Sequence, residues 1–550
     1  MVSQERKALV DFERLLKIFT VPEGPESTLT QIEQRLSLNL NEFLKEHIVA
    51  EEKPLREIEK DFNSADLPEQ PTFVSEHTQH LLDTLVSHSV HTSAPSFIGH
   101  MTSALPYFLM PLSKIMIALN QNLVKIETSK AFTPLERQVL GMLHNLTYGR
   151  EESFYQQWLH SAKHSLGAFC SGGTIANITA LWVARNNAFP ADGDFEGIQK
   201  QGLLKALLHY GYQGMAVLVS ERGHYSLKKA ADVLGLGHDN LVRVKTDANN
   251  RIDIDDLKLK LEELEQNKIK PIAVVGVAGT TETGNIDPLN DIADICEQHD
   301  CHFHVDAAWG GATLMSSTYR HLLSGIERAD SVTIDAHKQL YIPMGAGMVL
   351  FKDPNAMSSV EHHAAYILRK GSKDLGRHSL EGSRSGMAML VYSSMHILSR
   401  PGYELLIDNG IDKARYFADL IKEEDHFELV TEPELCLLTY RYAPPHVQQA
   451  MAMAKGKQKQ KLNELLNSLT QFIQKRQREN GLSFVSRTTL TPHQFDNLTT
   501  TVFRVVLANP LTTKEILQNI LKEQKEIAIL APSLTKQIEA TTQAILGEKL

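Results

Sequence analysis

The feature that most limits what this chain can fold into is an alternation. Between residues 166 and 351, short β-branched apolar runs take turns with amphipathic stretches. The runs are "LGAFCS" (166–171), "MAVLVSE" (215–221), "LVRVKT" (241–246), "IAVVGVAG" (272–279), "HFHVDAA" (302–308), "SVTID" (331–335) and "GMVLF" (347–351). A strand with one wet face alternates apolar with polar residues, whereas runs as uniformly apolar as these are covered on both faces. The intervening amphipathic stretches supply that cover. The expected fold class is therefore α/β, with a mostly parallel central sheet and helices on both faces.

The flanks read differently. Residues 1–110 form a mainly helical N-terminal segment, with a polar acidic stretch near Asp61 to Gln70 and a Pro/Ser-rich loop, "HTSAPSFIGHMTSALP". Residues 111–385 hold the large α/β domain. Residues 386–550 read as a small α+β domain, with long helical patterns and a short sheet from "ELCLLTYRY" (434–442) and "TTTVFRVVLANP" (499–510). Within it, 451–480 reads as one long helix, and neither that helix nor the tail beyond about residue 510 has an evident role.

Composition removes several classes of function. A net charge of −10 argues against nucleic acid as a partner. The one basic run, Lys455 to Lys461, lies among helix formers and reads as a solvated face. The 4 cysteines contain no CxxC, so neither a disulfide framework nor a cysteine metal site is expected, and no metal is. The first residues mix both charges with a helical period and lack an apolar signal core. No apolar run reaches the ~18 residues that a membrane span needs. The chain reads as cytoplasmic and reduced.

Chemistry gathers where the strands end, which in an open α/β sheet is where ligands bind. Ser171-Gly172-Gly173-Thr174 leads from a strand into a helix, so free amides, a hydroxyl and the helix dipole converge as a phosphate cradle, or simply as a glycine turn. His224 follows a strand and opens a helix, placed to stack on a flat ring or to cap. Asp306 closes a strand before two alanines, as a partner for a protonated ring nitrogen or as a turn residue. Lys338 ends "SVTIDAHK", where a charged amine is costly and an amine nucleophile is useful. In combination these are the stations of pyridoxal phosphate: phosphate, ring face, ring nitrogen, aldehyde carbon.

On "SGGTIANITAL", "SERGHYSLKKAA", "GTTETGNIDP", "HVDAAWGG" and "DAHK", the chain resembles the group II pyridoxal-phosphate-dependent amino-acid decarboxylases, over about residues 90–510. The resemblance implies fold type I of the pyridoxal-phosphate enzymes and pyridoxal 5′-phosphate as cofactor. It makes Lys338 the Schiff-base lysine and Asp306 the partner of the ring nitrogen. His224 and Ala308 would cover the two ring faces. Gly173, Thr174 and His337 would hold the phosphate, and Thr280 would lie beside the ring substituents. Tyr366, in "HHAAYILRKGS", matches the loop tyrosine that protonates Cα, with a packing tyrosine as the alternative. Arg504, in "TVFRVV", matches the arginine that takes the substrate carboxylate, with a surface ion pair as the alternative.

The resemblance further implies a small-molecule amino-acid substrate and a homodimer with the active site at the subunit interface, which the segment Gly382-Ser383-Arg384 would help to build. His100 and Thr102 lie where relatives form the substrate side-chain wall. The likeness is greatest to bacterial aspartate 1-decarboxylases, which make β-alanine for pantothenate, and glutamate decarboxylases giving 4-aminobutyrate are the near alternative. An aminotransferase or lyase on the same scaffold, and a catalytically silent homologue, are the readings from other classes. The Asp at 335 departs from the small or amide residue that relatives often carry there.

Overall fold

The computed structural model describes residues 48–49, 53–363 and 371–547. Each apolar run is a strand: β1 (Gly167–Cys170), β2 (Gly214–Ser220), β3 (Leu241–Val244), β4 (Ile269–Val277), β5 (His302–Asp306), β6 (Ser331–Asp335) and β7 (Gly347–Phe351). They form one sheet in the order β1-β7-β6-β5-β4-β2-β3. Neighbours from β3 to β6 are parallel, while β7 runs antiparallel to both β6 and β1. The reason is chain length. The connection 336–346 is too short for a helical crossover, so β7 turns straight back along β6. Because β7 opposes both neighbours, β1 points the same way as β6, and its carboxyl end opens on the same side.

Both faces of the sheet are covered. Ala216, Leu218 and Val274 pack on one side with Leu257, Leu261 and Ile292. The residues between them, Val217, Val219 and Val275, pack on the other with Ile178, Leu181 and Leu227. The two-residue period of each strand thus feeds two cores.

A second sheet contains β8 (Phe427–Thr431), β9 (Leu437–Tyr442), β10 (Ser486–Leu490) and β11 (Thr500–Val506) in the antiparallel order β10-β11-β9-β8. β9 and β11 match the expected strands. β8 and β10 were not anticipated, because each lies at a sheet edge and carries the polar residues an edge tolerates. The stretch 451–480 divides at Gly456 (φ 51°) into the helices Pro445–Met453 and Gly456–Asn480. Leu462, Leu466, Leu469 and Ile473 of the longer helix are buried in the core shared with this sheet. The tail forms helices Lys514–Ile529 and Pro532–Gly547, whose Leu517 and Ile538 join the same core. The N-terminal part threads into it as well: Ile98 N donates to the Phe484 carbonyl (3.0 Å) and Val506 N to the Ile98 carbonyl (2.7 Å). Among the described residues no helix is long and apolar enough to cross a membrane.

Candidate active site

The carboxyl ends of β1, β2, β4, β5 and β6 meet around a cavity of about 320 Å³. At β1 the chain turns through Gly172 into the helix Gly173–Asn187, whose first amides have no intrahelical acceptor. The turn lies directly on Asp335: a Cβ at position 173 would sit 2.7 Å from Asp335 Oδ2, so any larger residue there would displace that carboxylate. The His337 ring abuts the same turn and donates Nδ1–H to the Ala346 carbonyl (2.9 Å). Gly173, Thr174 and His337 therefore line one end of the cavity, as a seat for an anion.

Asp306 ends β5 and is 6% exposed. Its Oδ2 accepts from Asn177 Nδ2 (2.8 Å) and its Oδ1 from Ala308 N (3.2 Å). Both donors are neutral, and no cation of the described residues forms an ion pair with it. A buried carboxylate satisfied only by neutral donors is costly, and a cationic ligand completes it. His224 lies past the end of β2 on the cavity wall, with Nδ1 turned to Ser226 Oγ (2.9 Å). Burial, opposed by the Asp306 charge and aided by that of Lys338, lowers His224 from the ordinary imidazole value, which favours the neutral ring.

Lys338 closes the ring of groups. Its Nζ lies 3.2 Å from Asp335 Oδ2, while Asp335 Oδ1 is buried with no hydrogen-bond partner. The lysine at the strand end is thus held by a carboxylate three residues earlier, a partner the sequence reading did not provide. The cavity presents an anion seat at one end, an unneutralised carboxylate at the other and an amine beside them. Pyridoxal phosphate has the matching anion, ring cation and aldehyde, so the residues present suit it.

Residues 54–443 match the family model described as the pyridoxal-dependent decarboxylase conserved domain. The chain belongs to this family. It is a pyridoxal-phosphate-dependent decarboxylase acting on an amino acid, and its cofactor is pyridoxal 5′-phosphate. It is 72% identical over 528 residues to the aspartate 1-decarboxylase of Aliivibrio fischeri, covering 96% of each chain. It is 30% identical to the cysteine sulfinic acid decarboxylase of Mus musculus, over 80% of this chain and 83% of that one. The crystal structure of mouse CSAD superposes with a TM-score of 0.78 at 26% identity, covering 91% of this chain and 98% of the other. Fold type I is thereby shared with solved decarboxylases.

The remaining candidates in this decarboxylase fall in several places. Ala308 lines the cavity next to Asp306. Thr280 follows Gly279 (φ 95°) but turns its hydroxyl inward to Thr283 Oγ1 (2.7 Å), and its neighbours Gly279 and Thr281 line the cavity instead. Arg504, on β11, is buried and donates Nε–H to the Thr281 carbonyl (2.7 Å) and Nη1–H to the Gly99 carbonyl (3.3 Å). Burial pushes its guanidinium down to about 10, with Glu282 opposing. His100 and Thr102 hydrogen-bond to each other (3.0 Å) on the Arg504 side, outside the cavity wall. Desolvation and the charges of Arg504 and Lys338 lower His100. Tyr366 lies outside the described residues. Arg384 makes a bidentate ion pair with the buried Glu136 of its own chain, so its guanidinium is engaged there.

Asn177 and Ser226 belong to the site and were not singled out from the sequence, whereas Asp335 was noted there only as a departure from relatives. For Asn177 a signal existed: a lone amide among Ala176, Ile178, Ala180 and Leu181 on a helix that faces the sheet.

Proposed function

We propose that the enzyme removes the α-carboxylate of L-aspartate, releasing CO₂ and β-alanine, the amine used in making pantothenate. The observation that carries this is the 72% identity, over 96% of both chains, to an enzyme named for aspartate. The same observation disfavours L-glutamate and 4-aminobutyrate.

Bound pyridoxal phosphate supplies an electron sink for the pair left at Cα when the carboxylate departs. Gly173, Thr174 and His337 hold its phosphate, and Lys338 anchors the aldehyde carbon. Asp306 keeps the ring nitrogen protonated, and its lack of a cationic neighbour supports that role. His224 and Ala308 cover the two faces of the ring, with Thr280 in the turn beside it. Arg504 orients the α-carboxylate. Part of its donor capacity is taken by two backbone carbonyls, so it positions that carboxylate without over-stabilising the ground state. His100 and Thr102 offer polar groups to the side-chain carboxylate. Tyr366 delivers the proton to Cα.

The reading extends to a cytoplasmic homodimer with the active site near the subunit interface. The helix Leu109–Leu119 supports the dimer, since Met110, Ile115, Ile117 and Leu119 are all exposed. Four free cysteines fit a reducing compartment.

CO₂ release from a panel of L-amino acids tests the substrate. Aspartate should give the highest kcat/KM, with β-alanine as product. A higher value for glutamate or cysteine sulfinate would overturn the assignment.

A further inference from the structure

Asn177 sits at the centre of a buried hydrogen-bonded system that reaches both sides of the cofactor cavity. It is 1% exposed. Its Nδ2 reaches Asp306 Oδ2 (2.8 Å) and Ser226 Oγ (3.1 Å), and its Oδ1 meets His304 Nε2 (3.1 Å). An ionised carboxylate only accepts, so the NH₂ end of the amide must face Asp306 and the carbonyl end His304. The usual ambiguity of amide orientation is thereby removed.

Two chains of donation follow. Toward β5, His304 carries its hydrogen on Nε2. Its bare Nδ1 accepts from Ser331 Oγ (2.8 Å), which accepts in turn from His302 Nε2 (2.7 Å). Burial pushes His304 down to about 4, so it takes part as a neutral ring. Toward the cavity, Ser226 Oγ has accepted from Asn177 and turns its own hydrogen to His224 Nδ1 (2.9 Å). The backbone N–H of Ser226 points at the same nitrogen (3.3 Å). Two donors converge on Nδ1, so the hydrogen of this neutral ring lies on Nε2.

We infer that Asn177 is the positioning residue that couples Asp306 to His224. It aims the carboxylate at the cofactor's ring nitrogen and, through Ser226, holds His224 as the Nε2–H tautomer. His224 is then a hydrogen-bond donor toward an anion such as the substrate carboxylate. Its one lone pair is committed to Ser226, so it takes no proton from Cα. The inference rests on the roles given above to Asp306 and His224.

The test compares affinities of the apoprotein for pyridoxal phosphate and for its 1-deaza analogue, in which carbon replaces the ring nitrogen. Wild type should prefer pyridoxal phosphate, and Asp306→Asn should abolish the preference. Asn177→Ala should reduce the preference by about tenfold or more, the usual worth of a hydrogen bond to a charged group, while changing analogue affinity by less than about threefold. If Asn177→Ala weakens both ligands equally while Asp306→Asn abolishes the preference, Asn177 merely fills space and the inference falls. If Asp306→Asn leaves the preference intact, the role of Asp306 falls instead, and the inference with it. A second readout needs no variant that must fold without its amide. ¹⁵N spectra of histidine-labelled wild-type holoprotein, assigned by the signal lost in His224→Gln, should show His224 bare at Nδ1 and protonated at Nε2. A ring protonated at Nδ1 would overturn the tautomer and the coupling.

Discussion

Asp335 Oδ2 lies 3.2 Å from Lys338 Nζ, and the other oxygen of the same carboxylate has no partner. The pair places the reactive amine, which is the nearer of two nitrogens beside Oδ2, with His337 Nε2 at 3.5 Å. Lys338→Ala should lose the cofactor mass that borohydride otherwise fixes to the protein, as read by intact-mass spectrometry. It should also be less stable, because deleting the amine leaves the buried Asp335 carboxylate with only the longer His337 contact. Such losses run to about 3–5 kcal/mol, and the partial exposure of Lys338 sets the lower end here. Adding Asp335→Asn should restore most of that loss in denaturant midpoint without restoring the fixed cofactor. A double variant no more stable than the single one would mean that the pair is not the source.

Arg504 makes its contacts through a fork that lysine cannot reproduce. Arg504→Lys should raise KM for the amino acid by roughly tenfold to a hundredfold, the range for a lost hydrogen bond to a charged group. Cofactor affinity should hardly change, since Arg504 reaches the Thr281 and Gly99 carbonyls on the β11 side of the site. An unchanged KM would remove Arg504 from substrate binding.

His144 joins the helix Phe132–Tyr148 to the end of β7. Its Nε2 donates to the Phe351 carbonyl (3.1 Å) and its Nδ1 accepts from Tyr155 Oη (2.9 Å). Burial, aided by the Arg150 charge, pushes it down to about 4. The unfolded chain therefore binds more protons than the folded one between about pH 4 and the free-imidazole value near 6.5, and stability rises with pH there. This contribution is fully present above about pH 6.5 and is lost toward pH 4, amounting to about 3 kcal/mol. His144→Gln keeps one donor and one acceptor, so its stability should fall less than wild type between pH 7 and pH 5. Equal falls in urea midpoint would exclude His144 as a source of acid sensitivity.

The helix Leu109–Leu119 carries Ile117 at 69% exposure. A charge there, as in Ile117→Asp, should convert the dimer to monomer in sedimentation velocity at micromolar concentration. Activity should fall with it, since the site is proposed to lie near the interface. A variant that sediments as a fully active dimer would place the interface elsewhere.

Much of the site was legible because strand-end chemistry leaves a mark in the sequence. Asp306, His224 and Lys338 each follow an apolar run, where a polar group has few structural reasons to be. The parallel core was legible from the same runs. The antiparallel return of β7 followed from a connection length rather than from composition. Edge strands β8 and β10 were not legible, since their polar residues satisfy no alternation that a core demands. The Asp335–Lys338 pair depends on the local turn that follows β6, while the contacts of Asn177 depend on side chains meeting across elements, which one-dimensional spacing does not encode. The Arg384–Glu136 pair, between residues far apart in the chain, escaped for the same reason.

Gly99 and Arg504 stand 405 residues apart in the chain, yet the carbonyl of one holds the guanidinium of the other. During synthesis at about 5–20 residues per second, roughly 20–80 s separate their emergence from the ribosome. The glycine turn, Asp306 and Lys338 are all made well within that interval. A nascent chain can therefore assemble its cofactor seat before Arg504, the guanidinium proposed for the α-carboxylate, has been made. The order of translation then makes cofactor capture the earlier event and substrate recognition the last part of the site to mature.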